Sequence, residues 1–551
     1  MENLPKLSTG IQSFETIRKD GYIYADKTRL LYELLQKKAP CFLSRPRRFG
    51  KSLLISTLKA ILQGKKELFK GLWIGGSNYD WEPYPVIHLR MNEIGSRSVD
   101  FVESSLIKSL KHIAAFENIS IDGEIPLEYF SSLYHTLYAK YNKRVAILID
   151  EYDAPIVKNL ENTKLANDIR IALKDFYDLL KNEDLLGFIF ITGVSKFVKT
   201  SIFSTLNNLI DLTFKDEYTS ICGFTIEDFD TLFPEYMSKM LAHLKSISYL
   251  PQDNNISDLR DLIFDWYDGY SWDGETKLLN PWAILSAFEY MRFGDYWCQS
   301  GSRLTFIDSF IKSGVTDVNK LKPFEHLTEA SDIIDLETRL DATPLMFQAG
   351  YLTVSHVDKK RGIYKYYLDF PNMEVKAGII PLLLSTISLE DPLQIKQFSL
   401  DIVDSLINLD TNALEKSFEN FIACYAYSIH ETHEGYYHTL FQSAMFILGQ
   451  NFDSLASVSG GKLDLHYQAP NGTHFVFEFK YCSDKGRNNK IISMDKLQKN
   501  MVEKAAITLE QINARRYTQK FRGTVNDIYK VALVVGGRRV VLAVFKKEED
   551  I

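Results

Sequence analysis

Three residues near the carboxyl end of the chain, Asp464, Glu478 and Lys480, have the types and spacing of a metal-dependent hydrolytic site. Because side chains alternate along a strand, Glu478 and Lys480 would face one side and Phe479 the other. Two carboxylates can share a Mg²⁺ that activates water for attack on a phosphodiester, while the lysine positions that water or steadies the charge. Glu-x-Lys alone is also a common ion-pair pattern of strands. Asp464, fourteen positions before Glu478 (478 minus 464), favours the hydrolytic interpretation.

A second group of residues, near the amino end, has the chemistry of a phosphate-binding loop. An apolar run before the loop predicts a short strand, and a helical pattern follows it. Gly50 lets the main chain approach a ligand, Lys51 would reach the outer phosphates of a triphosphate, and Ser52 would hold Mg²⁺ through its hydroxyl. Arg45 stands where the first glycine of G-x-x-x-x-G-K-[ST] would be, so only half of the motif is present. A solvated basic turn is the alternative.

Acidic and hydroxyl residues at two later strand ends could complete this site. The aliphatic run 145–149 predicts a strand buried on both faces, as in a parallel sheet, whose carboxyl end is where such sheets bind ligands. At that end Asp150 would hold Mg²⁺, directly or through water, and Glu151 would orient and deprotonate the attacking water. After the next apolar strand, Thr192 or Ser195 would sense the γ-phosphate, although a capped strand end fits them equally well. The order of loop, helix and acid-ended strand predicts an ATP site.

The elements that must position these residues alternate between strands and helices. The predicted strands are 41–44, 85–91, 144–150 and 185–191, and the predicted helices include 53–62 and 100–116. This alternation predicts a doubly wound α/β domain with a parallel sheet over the first 220 residues or so.

Several longer stretches resemble a known family. They are residues 24–28, 44–52, 148–153, 203–209, 266–270, 280–281, 296–297, 347–353 and 371–375. They resemble the AAA-ATPase-like family of P-loop proteins that carry a C-terminal PD-(D/E)XK nuclease-like domain, and the likeness covers nearly the whole chain. That family has arginine-proline-arginine-arginine-phenylalanine in its phosphate loop, so the resemblance implies ATP binding without the first glycine. The nucleotide-binding residues it implies are Arg47, Arg48, Phe49, Gly50, Lys51, Ser52, Asp150 and Thr192, with Glu151 catalytic.

The predicted elements and the resemblance together divide the chain into four regions. They are a P-loop AAA-like ATPase domain (1–220), a helical lid-like region (221–330), a winged-helix-like region (331–411) and a PD-(D/E)XK nuclease-like domain (412–551). The winged-helix prediction rests on two strands, 351–357 and 362–368, joined by the basic tip 358–361. That tip would contact a phosphate backbone or would simply be solvated.

The last region has the element order of a restriction-endonuclease-like α/β fold: helix, three strands, helix, strand. The predicted helices are 413–429, 434–448 and 494–513, and the predicted strands are 454–458, 463–467, 473–481, 531–535 and 540–545. In this arrangement Asp464 lies in the second strand, and Glu478 and Lys480 lie in the third.

Three further residues of this region are candidate site residues. Glu434 and His438 lie four apart, hence on one helix face, and in this fold the first helix often directs an acid toward the metal. Glu434 is therefore a candidate metal ligand, with a helix cap or a surface pair as the alternative. Gln511 matches a catalytic position where related nucleases place a polar residue near the scissile phosphate, although an exposed helix amide would look the same. Lys462 replaces a frequent family arginine, and 456–459 lack the acid expected there, which implies reduced metal affinity.

Basic residues outnumber acidic ones between positions 480 and 522. They include Lys485, Arg487, Lys490, Lys496, Lys499, Lys504, Arg515, Arg516, Lys520 and Arg522. Such a local stripe, in a chain whose formal net charge is −7, is the footprint of a nucleic-acid enzyme. A solvated helix face would look similar. The predicted partner is nucleic acid, with DNA favoured and RNA as the alternative, and a homo-oligomer is left open.

Composition excludes other classes of protein. A length of 551 residues with 45% hydrophobic content suits about three or four domains, each with a core. The five cysteines form no Cys-x-x-Cys pair, so neither a disulfide framework nor a zinc ribbon is indicated. The first residues lack a signal-peptide pattern, and no stretch approaches the ~20 apolar residues of a bilayer span. We therefore expect a cytoplasmic protein with no membrane partner.

The sequence as a whole predicts an ATP-binding, metal-dependent nuclease, in which a P-loop ATPase gates a phosphodiesterase that acts on DNA, or on RNA. ATP and Mg²⁺ are the predicted cofactors, with Mn²⁺ as an alternative at the nuclease site. One rival hypothesis is a nucleotide-controlled switch whose nuclease-like domain only docks DNA or a protein. The other is ATP-driven remodelling without cleavage.

Overall fold

The computed structural model describes residues 4–37, 39–181, 184–195, 208–247, 249–250, 252–300, 324–328, 342–360, 363–379, 391–424, 434–447, 452–454, 457–458, 461–462, 464–469, 471–485, 491–515, 518, 527–537 and 540–548. The chain forms two compact units. The first comprises 1–244, 255–307 and 323–372, and the second comprises 245–254, 308–322 and 373–551. The finer division into four regions stays a prediction.

The first unit is built around a five-stranded parallel sheet. Its strands are β1 (Cys41–Ser44), β2 (Val86–Arg90), β3 (Val145–Asp150), β4 (Leu186–Gly193) and β5 (Ile210–Asp211). They lie in the order β2-β3-β4-β1-β5, with every neighbouring pair parallel. Strand β3 is buried at every position, which accounts for its unbroken aliphatic sequence. Because all strands are parallel, the loop after β1 and the acids after β3 emerge at the same edge of the sheet.

The first unit also contains helices. They are α1 (Phe14–Asp20), α2 (Thr28–Leu35), α3 (Lys51–Leu62), α4 (Val99–Phe116), α5 (Pro126–Tyr141), α6 (Ala154–Val157), α7 (Thr163–Asp178), α8 (Ile226–Leu232), α9 (Pro234–Ser246), α10 (Ile256–Tyr267), α11 (Pro281–Tyr290), α12 (Tyr296–Gln299) and α13 (Ala342–Ala349). Short 3₁₀ turns occur at Lys66–Phe69, Trp73–Gly76, Met91–Glu93, Leu179–Lys181 and Asp216–Ile221. Helices α3 and α5 both contact β3.

A three-stranded antiparallel sheet completes the first unit. Its strands are β6 (Phe324–Thr328), β7 (Thr353–Lys360) and β8 (Ile363–Asp369), in the order β6-β8-β7. The predicted hairpin is present, but the assignment of 358–360 to its tip was wrong, because these residues pair with β8 as part of β7. The backbone N–H of Ser271 donates to the Thr353 hydroxyl at 2.6 Å, which attaches the hairpin to the segment after α10.

The second unit contains a five-stranded mixed sheet. Its strands are β9 (Phe452–Ser454), β12 (Leu465–Gln468), β13 (His474–Cys482), β14 (Ile528–Gly536) and β15 (Val541–Lys547), in the order β15-β14-β13-β12-β9. Strands β13 and β14 are parallel, and the other neighbours are antiparallel. Two short strands, β10 (Ser457–Val458) and β11 (Gly461–Lys462), form a separate antiparallel pair. Its described helices include α14 (Pro392–Ile407), α15 (Thr411–Ala423), α16 (Glu434–Ile447) and α17 (Met494–Ala514), and residues 373–379 are also helical.

Helix α17 connects the parallel pair β13 and β14, since parallel neighbours require a crossover. Its inward residues Leu497, Met501 and Ala505 pack with Ala532 and Val534 of β14. This packing sets the helix along the sheet and so determines where its polar residues lie.

Some element boundaries differ from the prediction. The predicted strand 454–458 is divided between β9 and β10, which belong to different sheets. The helix predicted from residue 53 begins at Lys51, because Gly50 caps it. The helix predicted over 413–429 spans Thr411–Ala423, and residues 425–433 lie outside the described ranges.

Candidate functional sites

The first candidate site is a cavity of about 390 Å³ at the loop between β1 and α3. Its walls come from the segment before α2, from the loop and the start of α3, and from the start of α11. Lining residues include Ile11, Ile23, Tyr24, Arg47, Arg48, Gly50, Lys51, Ser52, Glu151, Phe224, Trp282 and Leu285. The volume and the combination of apolar and cationic side chains suit a nucleotide.

Two residues in the left-handed region shape the loop. Arg48 has a φ of 64° and Gly50 a φ of 97°. Gly50 is the N-cap of α3 and contributes no side-chain hydrogen bond to the helix. The first-turn N–H groups of α3, which have no partner within the helix, can therefore serve an anion.

Lys51 is held by neutral groups. Only 4% of its surface is exposed, and its Nζ donates to the backbone oxygens of Arg45 and Pro46 at 2.8 Å each. Burial lowers the pKa of Lys51, while the negative charges of Glu151 and Asp150 oppose this. A buried cation whose acceptors are uncharged carbonyls is well suited to a polyphosphate, which would supply the opposite charge.

The three residues before Gly50 have different surroundings. Arg47, Arg48 and Phe49 all line the cavity. The Arg48 guanidinium lies 4.3 Å from the centroid of the Trp282 ring, a cation–π contact. The Phe49 ring is buried and packs edge-on against Trp272. The two arginines thus bring positive charge to the cavity, whereas Phe49 anchors the loop in the core.

The two acids at the end of β3 lie in different places: Glu151 lines the cavity and Asp150 is buried. Glu151 lines the cavity with Lys51 and Ser52, but Asp150 is not among the lining residues. The buried Asp150 carboxylate accepts a hydrogen bond from the Thr192 hydroxyl at 2.8 Å. Thr192 therefore contacts the predicted metal ligand and does not line the cavity.

Asp153 is a residue of this site that sequence reasoning missed. Its buried carboxylate accepts from the backbone N–H groups of Ser195 at 2.6 Å and Val194 at 3.2 Å. Burial raises the pKa of Asp153 to about 6, and the two N–H groups oppose the rise. Asp153 thus ties the acidic loop to the end of β4. Its place three residues after Asp150 was the signal that could have identified it.

The second candidate site lies where β12 and β13 meet. Asp464 immediately precedes β12, one residue outside the strand that was predicted to contain it, and Glu478 lies in β13. The two strands are antiparallel, with Leu465 opposite Phe477, which brings the acids together. The backbone N–H of Phe479 donates to Asp464 Oδ2 at 2.9 Å.

Two other predicted residues converge on Glu478. Its Oε1 accepts from Lys480 Nζ at 3.2 Å and from Gln511 Nε2 of α17. Lys480 Nζ also donates to the backbone oxygen of Phe479 at 2.8 Å. The structure therefore brings Asp464, Glu478, Lys480 and Gln511 to one place, and the Gln511 amide is engaged there.

The remaining oxygen of Glu478 identifies a place for a cation. Glu478 is 3% exposed, and its Oε2 has no hydrogen-bond partner among the described residues. Burial, followed by the nearby charge of Asp464, raises the pKa of Glu478, and Lys480 opposes this. A buried carboxylate oxygen without a partner is unfavourable unless a cation compensates it. The pair Asp464 and Glu478 thus fits a divalent ion such as Mg²⁺ or Mn²⁺.

In the described part of the chain, no third His, Cys, Asp or Glu side chain joins the pair, since no group of three or more such side chains could hold a metal ion there. Glu434 begins α16, but its side chain lies outside the described set, so its metal-binding role stays a prediction. The side chain of Lys462 lies outside it as well.

His438 has a role that its spacing from Glu434 did not reveal. Its Nε2 lies 3.0 Å from the backbone oxygen of Asp464 and 2.9 Å from Gln442 Nε2. Its ring centroid is 4.9 Å from that of Phe479. His438 therefore supports the backbone that carries Asp464.

The basic stripe is described in part. Lys485, Lys496, Lys499 and Arg515 are exposed, whereas Lys504 Nζ donates to the backbone oxygen of Tyr481 at 2.6 Å. The other basic residues of the stripe, Arg487, Lys490, Arg516, Lys520 and Arg522, lie outside the described ranges. No described helix has the length and apolar character needed to cross a membrane.

Comparisons with known proteins match the two regions of the chain that contain these candidate sites. Residues 8–203 match a family model described as predicted AAA-ATPase, and residues 432–545 match the PD-(D/E)XK nuclease superfamily. An uncharacterized protein in the vnfD 5′ region of Azotobacter chroococcum mcd 1 is 31% identical over 535 residues, which cover 95% of each chain.

Solved structures resemble the chain only weakly. A chain of Drosophila ORC bound to poly(dA/dT) DNA and Cdc6 is 10% identical, with 79% of this chain and 61% of that chain covered and a TM-score of 0.25. A chain of Drosophila ORC bound to GC-rich DNA and Cdc6 is 9% identical, with coverages of 76% and 60% and a TM-score of 0.23. The chain thus spans less than two thirds of these chains, and such TM-scores support no conclusion.

Proposed function

The chain belongs to the AAA-ATPase-like family of P-loop proteins that carry a C-terminal PD-(D/E)XK nuclease-like domain, and from this premise we propose that it is an ATP-binding, metal-dependent nuclease. The ATPase domain gates a phosphodiesterase that acts on DNA, with RNA as the alternative substrate. Mg²⁺ is the proposed ion at both sites, and Mn²⁺ is an alternative at the nuclease site.

In the nuclease site, Asp464 and Glu478 hold the divalent ion, which when bound lowers the pKa of a water molecule and neutralises charge on the phosphate. Gln511 and Lys480 donate to one oxygen of Glu478, so the other oxygen would be available to hold the ion. Lys480 is also placed to orient the water or to balance charge on the phosphate.

In the ATPase site, Lys51 and the first-turn N–H groups of α3 bind the outer phosphates. On binding, Lys51 Nζ exchanges the carbonyl oxygens of Arg45 and Pro46 for phosphate oxygens. Ser52 would hold Mg²⁺, and Asp150, which does not line the cavity, would contribute through water. Glu151 would orient and deprotonate the attacking water. Arg47 and Arg48 add positive charge at the cavity wall.

The nucleic-acid surface is proposed on α17 and next to it, where Lys496, Lys499 and Arg515 are exposed. Such residues bind the phosphate backbone without reading sequence, and binding through them weakens as salt rises. Helix α17 also carries Gln511, which donates to Glu478, so the basic residues lie on and next to the helix that contacts the carboxylate pair.

The observation that carries the proposal is the buried Oε2 of Glu478, without a partner among the described residues and close to Asp464. The test uses the full chain with Mg²⁺ or Mn²⁺ on linear and circular DNA, single-stranded DNA and RNA, without nucleotide, with ATP and with a non-hydrolysable analogue. We expect cleavage of at least one substrate, its loss in Asp464→Ala and Glu478→Ala, and loss of the ATP effect in Lys51→Ala. A wild type that cuts none of these substrates contradicts the nuclease.

A second candidate function is favoured by the small number of ligands, since the described residues supply two carboxylates and 456–459 supply no acid. It is a nucleotide-controlled switch whose nuclease-like domain docks nucleic acid without cutting it. This function predicts DNA binding that changes with ATP, and that binding would be equal in the wild type and Asp464→Ala. A nuclease predicts instead that only the wild type degrades the bound DNA.

A further inference from the structure

The residue in place of the first motif glycine is deeply embedded in the first unit. Arg45 is 1% exposed, and its guanidinium donates to four backbone oxygens. Nη1 bonds to Ser44 at 2.8 Å and Thr213 at 3.0 Å, and Nη2 bonds to Tyr218 at 3.2 Å and Thr219 at 3.4 Å. One side chain thus joins the phosphate loop to the segment after β5.

An aromatic ring covers the same guanidinium. Its central carbon lies 4.0 Å from the centroid of the buried Trp272 ring, which also contacts Phe49 of the loop. A close cation–π contact of this kind suits a flat guanidinium better than a lysine ammonium. The Arg45 guanidinium is therefore held both by the hydrogen bonds that its nitrogen atoms donate and by its contact with the Trp272 ring.

The backbone of Arg45 connects this anchor to the nucleotide-binding lysine. Its carbonyl accepts from Lys51 Nζ at 2.8 Å, and its N–H donates to the backbone oxygen of Gly193 at the end of β4 at 3.3 Å. Within the loop the positive φ values belong to Arg48 and Gly50. The backbone at residue 45 therefore has no need of glycine's conformational freedom.

We propose that Arg45 is a positioning residue for nucleotide binding, which holds the phosphate loop in its binding shape through the carbonyls of 213–219 and the ring of Trp272. In the common motif, a glycine permits the tight loop. In this chain, the hydrogen bonds of the buried Arg45 side chain hold the loop instead. Arg45 also adds a second buried cation whose hydrogen-bond acceptors are neutral. The inference rests on the proposed ATP site and adds the residue that shapes it.

The test is Arg45→Gly in the full chain, a change that completes G-x-x-x-x-G-K-[ST]. We measure the Kd of a fluorescent ATP analogue and the rise in thermal midpoint on adding MgATP. If Arg45 only fills the glycine position, the variant binds as well as the wild type or better. We expect instead a Kd weakened by about tenfold or more. Added guanidinium ion, at low concentration, should restore part of the affinity, because it can enter the vacated site and bond to the same carbonyls.

Lys51→Ala is the matched control, because it removes the contact to the phosphates and leaves the hydrogen bonds of the Arg45 side chain in place. Guanidinium should not restore its ATP binding. Arg45→Lys and Trp272→Leu are milder changes that serve if Arg45→Gly unfolds, and both should weaken ATP binding. Unchanged affinity in Arg45→Gly, or in both milder variants, overturns the inference while the ATP site stands. A wild type that binds no ATP overturns the proposed ATP site, and the inference with it.

Discussion

Asp464 Oδ2 accepts a hydrogen bond from the backbone N–H of Phe479 at 2.9 Å, so one acid of the nuclease-like site is bonded to the strand that carries the other. Phe479 lies between Glu478 and Lys480, and its N–H is held in place by β13. The backbone of β13 thereby orients the Asp464 carboxylate. A site arranged in this way is preorganised for a cation.

The carboxylate pair should be essential for cleavage. We expect Asp464→Asn and Glu478→Gln each to reduce metal-dependent cleavage of DNA by about 10²–10³-fold or more, since each removes half of the anionic ligand set. Cleavage rates with Mg²⁺ and Mn²⁺ and the thermal shift produced by Mn²⁺ are the measurements. Both the rate and the shift should fall in each variant.

The control for this pair is Glu510→Gln. Glu510 is exposed on α17, next to Gln511 in sequence. Its substitution removes one negative charge, as Asp464→Asn and Glu478→Gln each do. It should cut and bind Mn²⁺ like the wild type. Equal loss in Glu510→Gln would assign the effect to net charge and would contradict the metal site.

Much of the sheet architecture could be predicted from local patterns. Strand β3 is buried on both faces, so its sequence is an unbroken aliphatic run that a sequence reader can recognise. The alternation along β13 likewise predicts that Glu478 and Lys480 share a face, and the structure joins them at 3.2 Å. Both features depend only on residues that are close together in sequence, so local sequence patterns could predict them.

The roles of other residues could not be predicted, because their partners are distant in sequence. Arg45 bonds to Thr213, 168 positions away, and nothing in the loop sequence indicates that contact. Asp153 binds N–H groups about forty positions later, at 194 and 195. His438 meets the backbone of Asp464 only because α16 packs beside β13. Tertiary packing decides each of these contacts.

Glu151 should be needed for ATP hydrolysis and not for ATP binding. We expect Glu151→Gln to keep the Kd for ATP within about threefold of the wild type while kcat falls by about 10²–10³-fold, because the amide can still hydrogen-bond water but cannot accept its proton. Binding titration and phosphate release are the two measurements. Glu161→Gln, at an exposed position of the same unit, is the control and should change neither.

Arg48 should lower the stability of the folded protein, while its positive charge strengthens ATP binding. Its φ of 64° is unfavourable for a residue with a side chain, and its guanidinium lies over Trp282 at the cavity wall. We expect Arg48→Gly and Arg48→Ala to weaken ATP binding alike, because both lose the cation. In urea unfolding, Arg48→Gly should be more stable than Arg48→Ala by about 1 kcal/mol, because only glycine removes the backbone strain. Equal stabilities of the two variants would contradict a strained loop.

Asp153 should make the first unit less stable as pH rises. Burial raises its pKa from 3.8 to about 6, so the folded state holds a proton on Asp153 that the unfolded state has already released. The associated stability is complete below about pH 4 and is lost as pH rises through about 6, an effect of about 3 kcal/mol. The measurement is the free energy of unfolding in urea at several values between pH 4 and pH 7. Asp153→Asn cannot titrate and should lose this slope, whereas Asp175→Asn, which removes an exposed carboxylate of α7, should keep it. If Asp153→Asn and the wild type show the same slope, the N–H groups of Val194 and Ser195 stabilise the carboxylate enough to cancel the effect of burial.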